Sequence, residues 1–363
     1  MPSSHPPPSS LTPRGDSPRR AATTRDAERA SLTGRPSSLE PGALLVARRL
    51  KKRREGVQAL DGVSLVVRRG EAVGLFGPKR SGKSTALGVL AGVLRPDAGD
   101  VWICEQPDPT RADVRRRIGW IPQRLALYPD LTVEENLLFF GKLNAISEAL
   151  LRERLLWALE LTELQERRKS KAKTLSGGVL RRLNLACGIV HGPELLLLDE
   201  PMHGVDPTSR QLLRNALDAL RAEGMSMVLA TRHPSEVETF CSRIAIIDTG
   251  RLLDEGTLEE LVQRHAPEQQ LEADLTEQSL SRVLLSQVQL PAGISLRDNR
   301  LHARTSNPLQ MAAELHRVGI QIRSLMVRRP GLDEVFQTLS GRTLRDDVDA
   351  DALSRPLYFG EVR

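Results

Sequence analysis

Aromatic residues are scarce in this sequence. They make up 3% of its 363 residues, whereas Lys and Arg together number 52 and leave a net charge of +6. A surface that binds nucleic acid commonly interleaves basic side chains with aromatic side chains that stack on bases. Here the basic residues are spread along the whole chain without such interleaving, which favours a solvated basic surface. No nucleic-acid partner is therefore expected.

Cysteine is also rare, and long apolar runs are missing. Cys104, Cys187 and Cys241 are widely separated, so they indicate neither a disulfide framework nor a metal site. This usage is typical of reduced, buried thiols in a cytosolic protein. No stretch of the sequence approaches the roughly 18 consecutive apolar residues that span a bilayer. Any membrane role is therefore expected to depend on a partner chain.

The rest of the composition is organised in blocks. Residues 1–41 are rich in Ser, Pro, Thr and Arg and are predicted to be a disordered N-terminal segment, and residues 346–363 a tail. Residues 42–265 alternate short apolar runs with helical patterns, which predicts an α/β domain around a largely parallel sheet, with a helical subdomain at about 125–192. Residues 268–345 are predicted to form a small C-terminal α/β domain.

Apolar patterns predict individual elements within these blocks. The predicted strands are Val63–Val67, Ala72–Phe76, Leu195–Leu198, Met227–Ala230, Ile244–Ile247, Gln287–Leu290 and Ile322–Met326. The stretch PLQMAAELHRVG predicts a helix between the last two strands. A further helix, EALLRERLLWALELTEL, has a predicted buried face made of Leu151, Leu155, Ala158, Leu159 and Thr162.

The stretch GLFGPKRSGKST carries a recognisable chemical pattern. Gly77, Gly82, Lys83 and Ser84 have the spacing of a phosphate loop between a strand and a helix, although a glycine-rich turn could match by chance. Small residues let successive N–H groups face one anion, and the following helix adds its positive dipole end. Lys83 is expected to reach the β- and γ-phosphates, and Ser84 to bind Mg²⁺. The residues predicted to contact nucleotide are Gly77, Pro78, Lys79, Arg80, Ser81, Gly82, Lys83, Ser84 and Thr85.

Further motifs follow the phosphate loop along the chain. They are RRRIGWIPQRLALYPDLTVEENLLFFGKL, TLSGGVLRRLNLACGIV, ELLLLDEP, MHGVDPTSR and LATRHPSEVE. In this order and spacing they closely resemble the nucleotide-binding subunit of an ATP-binding cassette (ABC) transporter, a P-loop NTPase, from about residue 44 to 265. LSGG separates this family from other phosphate-loop ATPases. ALYPDLTVEENLLFFGKL and LDEVFQTLSGRTLRDD most resemble the branch that works with separate permeases exporting drugs, lipids or polysaccharides.

The resemblance implies a role in ATP hydrolysis for several polar residues. Asp199, at the end of a predicted strand, would hold Mg²⁺, and Glu200 would polarise the attacking water as general base. Gln123 takes the place of the glutamine that senses Mg²⁺ and the γ-phosphate. His233 matches the switch histidine that hydrogen-bonds the γ-phosphate, although Pro234 departs from its usual neighbour.

The resemblance also implies a dimer. Ser176, Gly177 and Gly178 would contact the γ-phosphate bound by the opposite subunit, through N–H groups and a helix dipole. Two ATP molecules would be sandwiched between the subunits of a head-to-tail homodimer or heterodimer. This dimer would be attached to a transmembrane permease at the cytoplasmic face of the membrane. Asp206, in the GVD loop, would lie across this interface from Lys79 and is expected to form an intersubunit ion pair with it.

Four positions depart from the family pattern. Arg80 replaces a glycine, Lys79 an Asn or Ser, Val179 the Gln, Met or Glu after LSGG, and Arg54 the aromatic residue that stacks on adenine. A left-handed backbone at Arg80 would cost about 1–2 kcal/mol. Loss of the adenine stack would weaken binding by about 1–3 kcal/mol. Lys83 and the other groups that carry the chemistry are present, which favours an active ATPase with weakened or retuned affinity.

Two alternatives to a transport ATPase are open at this stage. The substituted loop and signature favour a nucleotide-gated regulatory module with weak or no hydrolysis, whereas the intact Glu200 and His233 favour the ATPase. A soluble ABC protein of translation or DNA repair is disfavoured, because only one cassette is present.

Overall fold

The computed structural model describes residues 42–287, 290–291 and 293–343. The disorder predicted for residues 1–41 and the tail predicted for residues 346–363 lie outside these residues, as do residues 288–289 of one predicted strand.

The described chain alternates strands and helices. Its strands are β1 (Ala43–Arg54), β2 (Val57–Arg68), β3 (Ala72–Phe76), β4 (Ala98–Ile103), β5 (Gln106–Pro107), β6 (Ile118–Ile121), β7 (Leu195–Asp199), β8 (Ser226–Thr231), β9 (Arg243–Asp248), β10 (Arg251–Gly256), β11 (Gln269–Leu275), β12 (Ile294–Arg297), β13 (Arg300–Thr305) and β14 (Ile322–Arg328). Its helices are α1 (Lys83–Leu90), α2 (Ala112–Arg115), α3 (Val133–Leu143), α4 (Glu148–Leu161), α5 (Gly177–Ile189), α6 (Pro207–Ala222), α7 (Pro234–Phe240), α8 (Leu258–His265), α9 (Glu277–Leu284), α10 (Pro308–Arg317) and α11 (Leu332–Ser340).

A six-stranded sheet in the order β10-β9-β3-β8-β7-β6 forms the centre of the fold. Strands β9, β3, β8, β7 and β6 are parallel, and β10 is antiparallel to β9. Strands β3, β7 and β8 are buried along their whole length, as expected of parallel strands covered on both faces. The predicted α/β fold with a largely parallel sheet is confirmed.

Alternate side chains of each central strand enter two different cores. Leu195 and Leu197 of β7 pack with α1 and with the antiparallel sheet β2-β1-β4-β5. Leu196 and Leu198 point to the opposite face and pack with α6, α7 and α8. This follows from the two-residue period of a strand and explains why the sequence of β7 is continuously apolar.

The helical subdomain contains α3, α4 and α5 and has a core of its own. The predicted inner face of α4 is confirmed, because Leu151, Leu155, Ala158 and Leu159 are buried there. Thr162, just after the helix, is buried as well, and its Oγ1 donates to the carbonyl oxygen of Ala158 at 2.7 Å. In the part of the chain that the structure describes, no helix is long and apolar enough to cross a membrane.

A second antiparallel sheet, β12-β13-β11-β14, lies near the C-terminus and packs with α9 and α10. The predicted strand Ile322–Met326 lies within β14, but Gln287 and Leu290 lie outside any strand. Helix α11 packs against the central domain, where Phe336 meets Phe76 edge-on at a centroid distance of 6.3 Å. The bounds of a separate C-terminal domain remain a prediction.

Candidate functional site

The phosphate-loop segment connects β3 to α1 and is closely packed. The Lys83 side chain turns back on the loop, and its Nζ donates to the carbonyl oxygens of Gly77 and Pro78 at 2.7 Å each. Lys83 is 5% exposed, so these bonds compensate for much of the cost of burying its charge. A Cβ at Gly77 would lie 2.0 Å from the carbonyl oxygen of Ile247, which explains the requirement for glycine there.

The middle of this loop is its exposed part. Lys79 and Arg80 are exposed, and Arg80 has φ 62°, in the left-handed region. Arg80 therefore has the left-handed backbone for which we expect a cost of about 1–2 kcal/mol. Ser81 is buried, and its carbonyl oxygen accepts from the Gly250 N–H at 2.9 Å. The strained residue thus lies between two anchored ends of the loop.

The carboxyl end of β7 places an acidic residue beside the start of α1. Ser84 Oγ donates to Asp199 Oδ1 at 3.1 Å, across 115 residues of sequence. Burial raises the pKa of Asp199, while the Ser84 hydrogen bond and the charge of Lys83 oppose that rise. A hydroxyl and a carboxylate oxygen at this separation are hard donors of the kind that Mg²⁺ prefers, so these residues fit a magnesium site.

Glu200 follows β7 in a left-handed conformation with φ 46°. It is 7% exposed, and its N–H donates to the Ala230 carbonyl oxygen at 2.8 Å, which fixes the turn against β8. Burial raises the pKa of Glu200 to about 7. A carboxyl group whose pKa lies near neutrality is suited to take up a proton from water during a reaction.

The end of β8 carries a second buried carboxyl group. Thr231 Oγ1 donates to Glu236 Oε2 at 2.7 Å and lies 3.4 Å from Glu200 Oε2. His233 immediately precedes α7, and its backbone N–H donates to Thr231 Oγ1 at 3.1 Å. Its side chain is half-buried. One residue earlier, Arg232 Nη2 lies 3.3 Å from Nδ1 of His203, a contact that sequence reasoning missed.

Gln123 lies just after β6 and is exposed. Its carbonyl oxygen accepts from Arg181 Nη1 at 2.6 Å, and Arg181 lies on α5. Burial lowers the pKa of Arg181, whose charge is balanced in part by the carboxylates of Asp199 and Glu200. Arg181 therefore couples the Gln123 segment to the helix that follows LSGG. The sequence gave little signal for this contact, because Arg181 is one of several polar residues on α5, among them the buried Arg182 and Asn184.

The LSGG segment and the GVD loop contact each other. Ser176 immediately precedes α5, and both it and Gly177 are exposed. Gly178 is buried, and a Cβ there would lie 2.1 Å from Ser209 Oγ and 2.6 Å from Asp206 Oδ2. Asp206 Oδ1 accepts from the Ser209 N–H at 2.9 Å, and this bond lowers the pKa of Asp206. The predicted site residues thus form two groups, one at the phosphate loop and one at LSGG.

Arg54 and Val179, two of the four residues that depart from the family pattern, lie outside both groups. Arg54 is exposed at the end of β1. Val179 packs partly buried against the core of the helical subdomain, so an apolar side chain suits its surroundings.

Comparison with known proteins places this geometry in a family. The model of the ABC transporter family matches residues 60–203. The linearmycin resistance ATP-binding protein of Bacillus subtilis is 33% identical over 315 residues, which cover 84% of this chain and 100% of that protein. The chain belongs to the ABC transporter family.

Other comparisons support the same assignment. The Nod factor export ATP-binding protein I of Burkholderia lata is 35% identical to this ABC protein over 308 residues, covering 84% of this chain and 100% of that protein. A dimeric, post-hydrolysis ATP-binding cassette with ADP and phosphate is 28% identical, with a TM-score of 0.53, covering 59% of this chain and 98% of the other. The resemblance noted in the sequence is confirmed: this ABC protein is an ATP-binding subunit whose ATPase activity is coupled to transport.

Proposed function

We propose that two copies of this ABC protein, or one copy and a related chain, close on two MgATP molecules and thereby drive a separate membrane permease that exports its substrate. The observation that carries the proposal is the position of Ser84 Oγ, 3.1 Å from Asp199 Oδ1, beside the buried Glu200. A nucleotide-binding loop and a hydrolytic carboxyl group thus meet at the carboxyl edge of one sheet, where α/β folds bind ligands.

The phosphate-loop residues are assigned to the nucleotide phosphates. The helix that begins at Lys83 directs its N-terminal N–H groups and dipole toward the loop, and the Lys83 ammonium adds a positive charge. Ser84 and Asp199 would hold Mg²⁺, with Gln123 able to approach from the neighbouring strand end. When bound, Mg²⁺ would neutralise charge on the phosphates.

Glu200 is assigned as the general base. Its raised pKa, about 7, places it near the working pH of such an enzyme, and its position after β7 holds it rigidly beside Asp199. His233 is assigned to the γ-phosphate, as the family resemblance predicts.

The second half of each ATP site is assigned to the partner subunit. Ser176 and Gly177 are exposed at the start of α5, and Asp206 is exposed beside them. An exposed helix start with free N–H groups is suited to an anion on another molecule. The dimeric cassette with ADP and phosphate supports this arrangement. The permease would hold the dimer at the cytoplasmic face of the membrane.

Export is inferred from the names of the relatives. One of them confers linearmycin resistance and another belongs to Nod factor export. These names give no support to the regulatory alternative, in which the protein would sense ATP with little hydrolysis.

The test is MgATP hydrolysis by the purified full chain, with Glu200→Gln as the inactive reference and Glu160→Gln, on the exposed side of α4, as the matched control. Removal of a general base is expected to lower kcat by about 100-fold or more, whereas Glu160→Gln leaves it unchanged. Chelation of Mg²⁺ with EDTA is expected to stop turnover as well.

The same rates are measured in membranes that contain the permease. If the unmodified chain turns over ATP no faster than Glu200→Gln under both conditions, the proposal is refuted and the regulatory module is favoured.

A further inference from the structure

The turn between β9 and β10 lies directly against the phosphate loop. Strand β9 is the parallel neighbour of β3, so the chain leaves both strands at the same edge of the sheet. The Ile247 carbonyl oxygen would lie only 2.0 Å from a Cβ at Gly77, so it closes on the start of the loop. Further along, the Gly250 N–H donates to the Ser81 carbonyl oxygen at 2.9 Å. The turn therefore contacts the phosphate loop at Gly77 and again at Ser81.

Asp248 holds this turn in an unfavourable backbone conformation. Thr249 has φ 46° and Gly250 has φ 77°, both in the left-handed region, which a β-branched residue such as threonine rarely adopts. Asp248 Oδ1 accepts from the Thr249 N–H at 2.9 Å and so stabilises the turn. The Asp248 side chain is 10% exposed, so its negative charge requires a partner within the protein.

The partner of Asp248 comes from the C-terminal end of α11. Arg342 Nη2 donates to Asp248 Oδ1, across 94 residues of sequence. Gly341, with φ 72°, ends α11 in the left-handed conformation common at helix C-termini. The Arg342 N–H donates to Ser340 Oγ at 3.3 Å, which holds the backbone of the arginine. The end of the helix thus places Arg342 where it reaches Asp248.

Helix α11 is attached to the central domain by other contacts as well. Phe336 packs on Phe76, and the Leu332 N–H donates to Glu238 Oε1 at 3.1 Å. Both contacts hold the helix, whereas the ion pair of Arg342 acts on the turn beside the phosphate loop. The contribution specific to Arg342 is therefore to that turn.

We propose that Arg342 is a positioning residue for bound nucleotide: by pairing with Asp248, it holds the β9–β10 turn in the place where that turn supports the phosphate loop. The inference rests on the proposed placement of ATP at this loop. The N–H groups of the loop bind phosphate only when its backbone is correctly arranged, so a displaced turn weakens binding. Asp199 and Glu200 follow β7, which lies on the other side of β3 from β9. Arg342 therefore acts on nucleotide affinity and leaves the hydrolytic groups in place.

The test separates nucleotide affinity from turnover. The dissociation constants of ADP and of the non-hydrolysable ATP analogue AMP-PNP are measured with Mg²⁺ for the unmodified full chain and for Arg342→Gln. Loss of a hydrogen bond to a charged group is expected to weaken both nucleotides by roughly 3- to 10-fold, because the phosphate loop would hold the phosphates of each. The KM for ATP is expected to rise by a similar factor, while kcat stays unchanged. Arg342→Lys keeps the positive charge and is expected to restore part of the affinity.

A double-mutant cycle tests whether Arg342 acts through Asp248. Asp248→Asn removes the negative charge and is expected to weaken both nucleotides about as much as Arg342→Gln does. The double variant is expected to bind them no more weakly than either single variant, because both changes break the same pair.

Glu238→Ala is the matched control for attachment of the helix. It removes the acceptor of the Leu332 N–H at the opposite end of α11. Urea unfolding of all variants measures stability. Glu238→Ala is expected to lower stability about as much as Arg342→Gln does, yet to bind ADP and AMP-PNP as the unmodified chain does.

Equal nucleotide affinity for the unmodified chain and Arg342→Gln would overturn the inference. Equal weakening by Glu238→Ala would overturn it too, since the effect would then follow from attachment of the helix in general. Additive effects of Arg342→Gln and Asp248→Asn would show that the arginine does not act through Asp248. If Arg342→Gln does not fold, Arg342→Lys and Asp248→Asn provide the same comparison. Failure of the proposed ATP site looks different: the unmodified chain would then bind neither nucleotide, and the inference would fail with it.

Discussion

The two groups of site residues differ in how far one chain completes them. The phosphate-loop half, which contains Lys83, Asp199 and Glu200, is buried and joined by internal hydrogen bonds. The LSGG half presents Ser176 and Gly177 at the surface. Burying charges without partners is costly, so the first half must satisfy its polar groups within the fold. The second half is free to meet another molecule.

The contrast shows which of the site residues are held in position by contacts within a single chain. Folding alone positions the groups that we propose to hold phosphate and activate water. The proposed closing of the site depends instead on a second chain, since the exposed group of each copy would cover the buried group of the other. Four predictions test this difference, from the largest expected effect to the smallest.

Two inactive variants are expected to complement each other. Lys83→Ala damages the buried half. Gly177→Asp adds a negative charge to the exposed half, where an added Cβ meets none of the described atoms within 4 Å. In a mixture of the two chains, half of the dimers are hybrids that carry one site with both halves intact. The ATPase rate is expected to rise from near zero to roughly a quarter of that of the unmodified protein. A mixture no more active than its separate components would contradict a site shared between chains.

Alanine at two neighbouring glycines is expected to have different consequences. In Gly178→Ala the new Cβ would lie 2.1 Å from Ser209 Oγ, so the variant should lose about 1–3 kcal/mol of folding free energy through overpacking. Gly177→Ala should fold with unchanged stability and weaken only ATP-driven dimerisation. Urea unfolding measures the first effect, and sedimentation with AMP-PNP measures the second. Equal stability of the two variants would argue against the packing of Gly178 on the GVD loop.

Arg80→Gly is expected to stabilise the free protein. Glycine adopts the φ of 62° found at Arg80 without a Cβ penalty, although it loses more entropy on folding. The expected gain is about 1 kcal/mol, or an increase in Tm of about 2–4 °C in the absence of nucleotide. Lys79→Gly serves as the control and should bring no gain, since Lys79 is not among the residues with positive φ. A lower Tm for Arg80→Gly would show that the arginine side chain outweighs its backbone strain.

The expected ion pair between Lys79 and Asp206 of the opposite subunit should have the smallest effect. Both side chains are exposed, so solvent screens their attraction. A double-mutant cycle with Lys79→Ala and Asp206→Asn, followed by AMP-PNP-driven dimerisation, should give a coupling of roughly threefold in the dimer dissociation constant. The coupling should decrease in high salt. Additive effects of the two changes would exclude the pair.

Much of the buried half could be predicted from the sequence because its signals are local. An apolar run gave β3 with the same bounds as the structure, and glycine spacing gave the phosphate loop that follows it. The continuous apolar run before Asp199 gave β7, since a strand covered on both faces needs apolar residues at every position. Parallel strands bring their carboxyl ends to one edge, which is why Asp199 at the end of β7 lies near Ser84 in the structure.

The parts that were missed depend on contacts distant in sequence. Arg181 and Gln123 are 58 residues apart, and Arg232 and His203 are 29 apart. Each contact exists only because the fold brings segments distant in sequence together, a helix and a loop in the first case and two loops in the second, and no local period encodes that arrangement. Of the predicted strand Gln287–Leu290, the structure describes only Gln287 and Leu290, and both lie outside any strand.

The contact between Phe336 and Phe76 has a consequence for the C-terminal sheet. The chain leaves the central domain after α8, builds the sheet, and returns with α11 to the back of the strand that carries the phosphate loop. A second link holds the return, because the Leu332 N–H donates to Glu238 Oε1 at 3.1 Å. The C-terminal sheet is therefore held to the central domain on both sides, by α8 before it and by α11 after it. A C-terminal truncation that begins within this sheet would also remove α11, and with it the contact between Phe336 and the ring of Phe76.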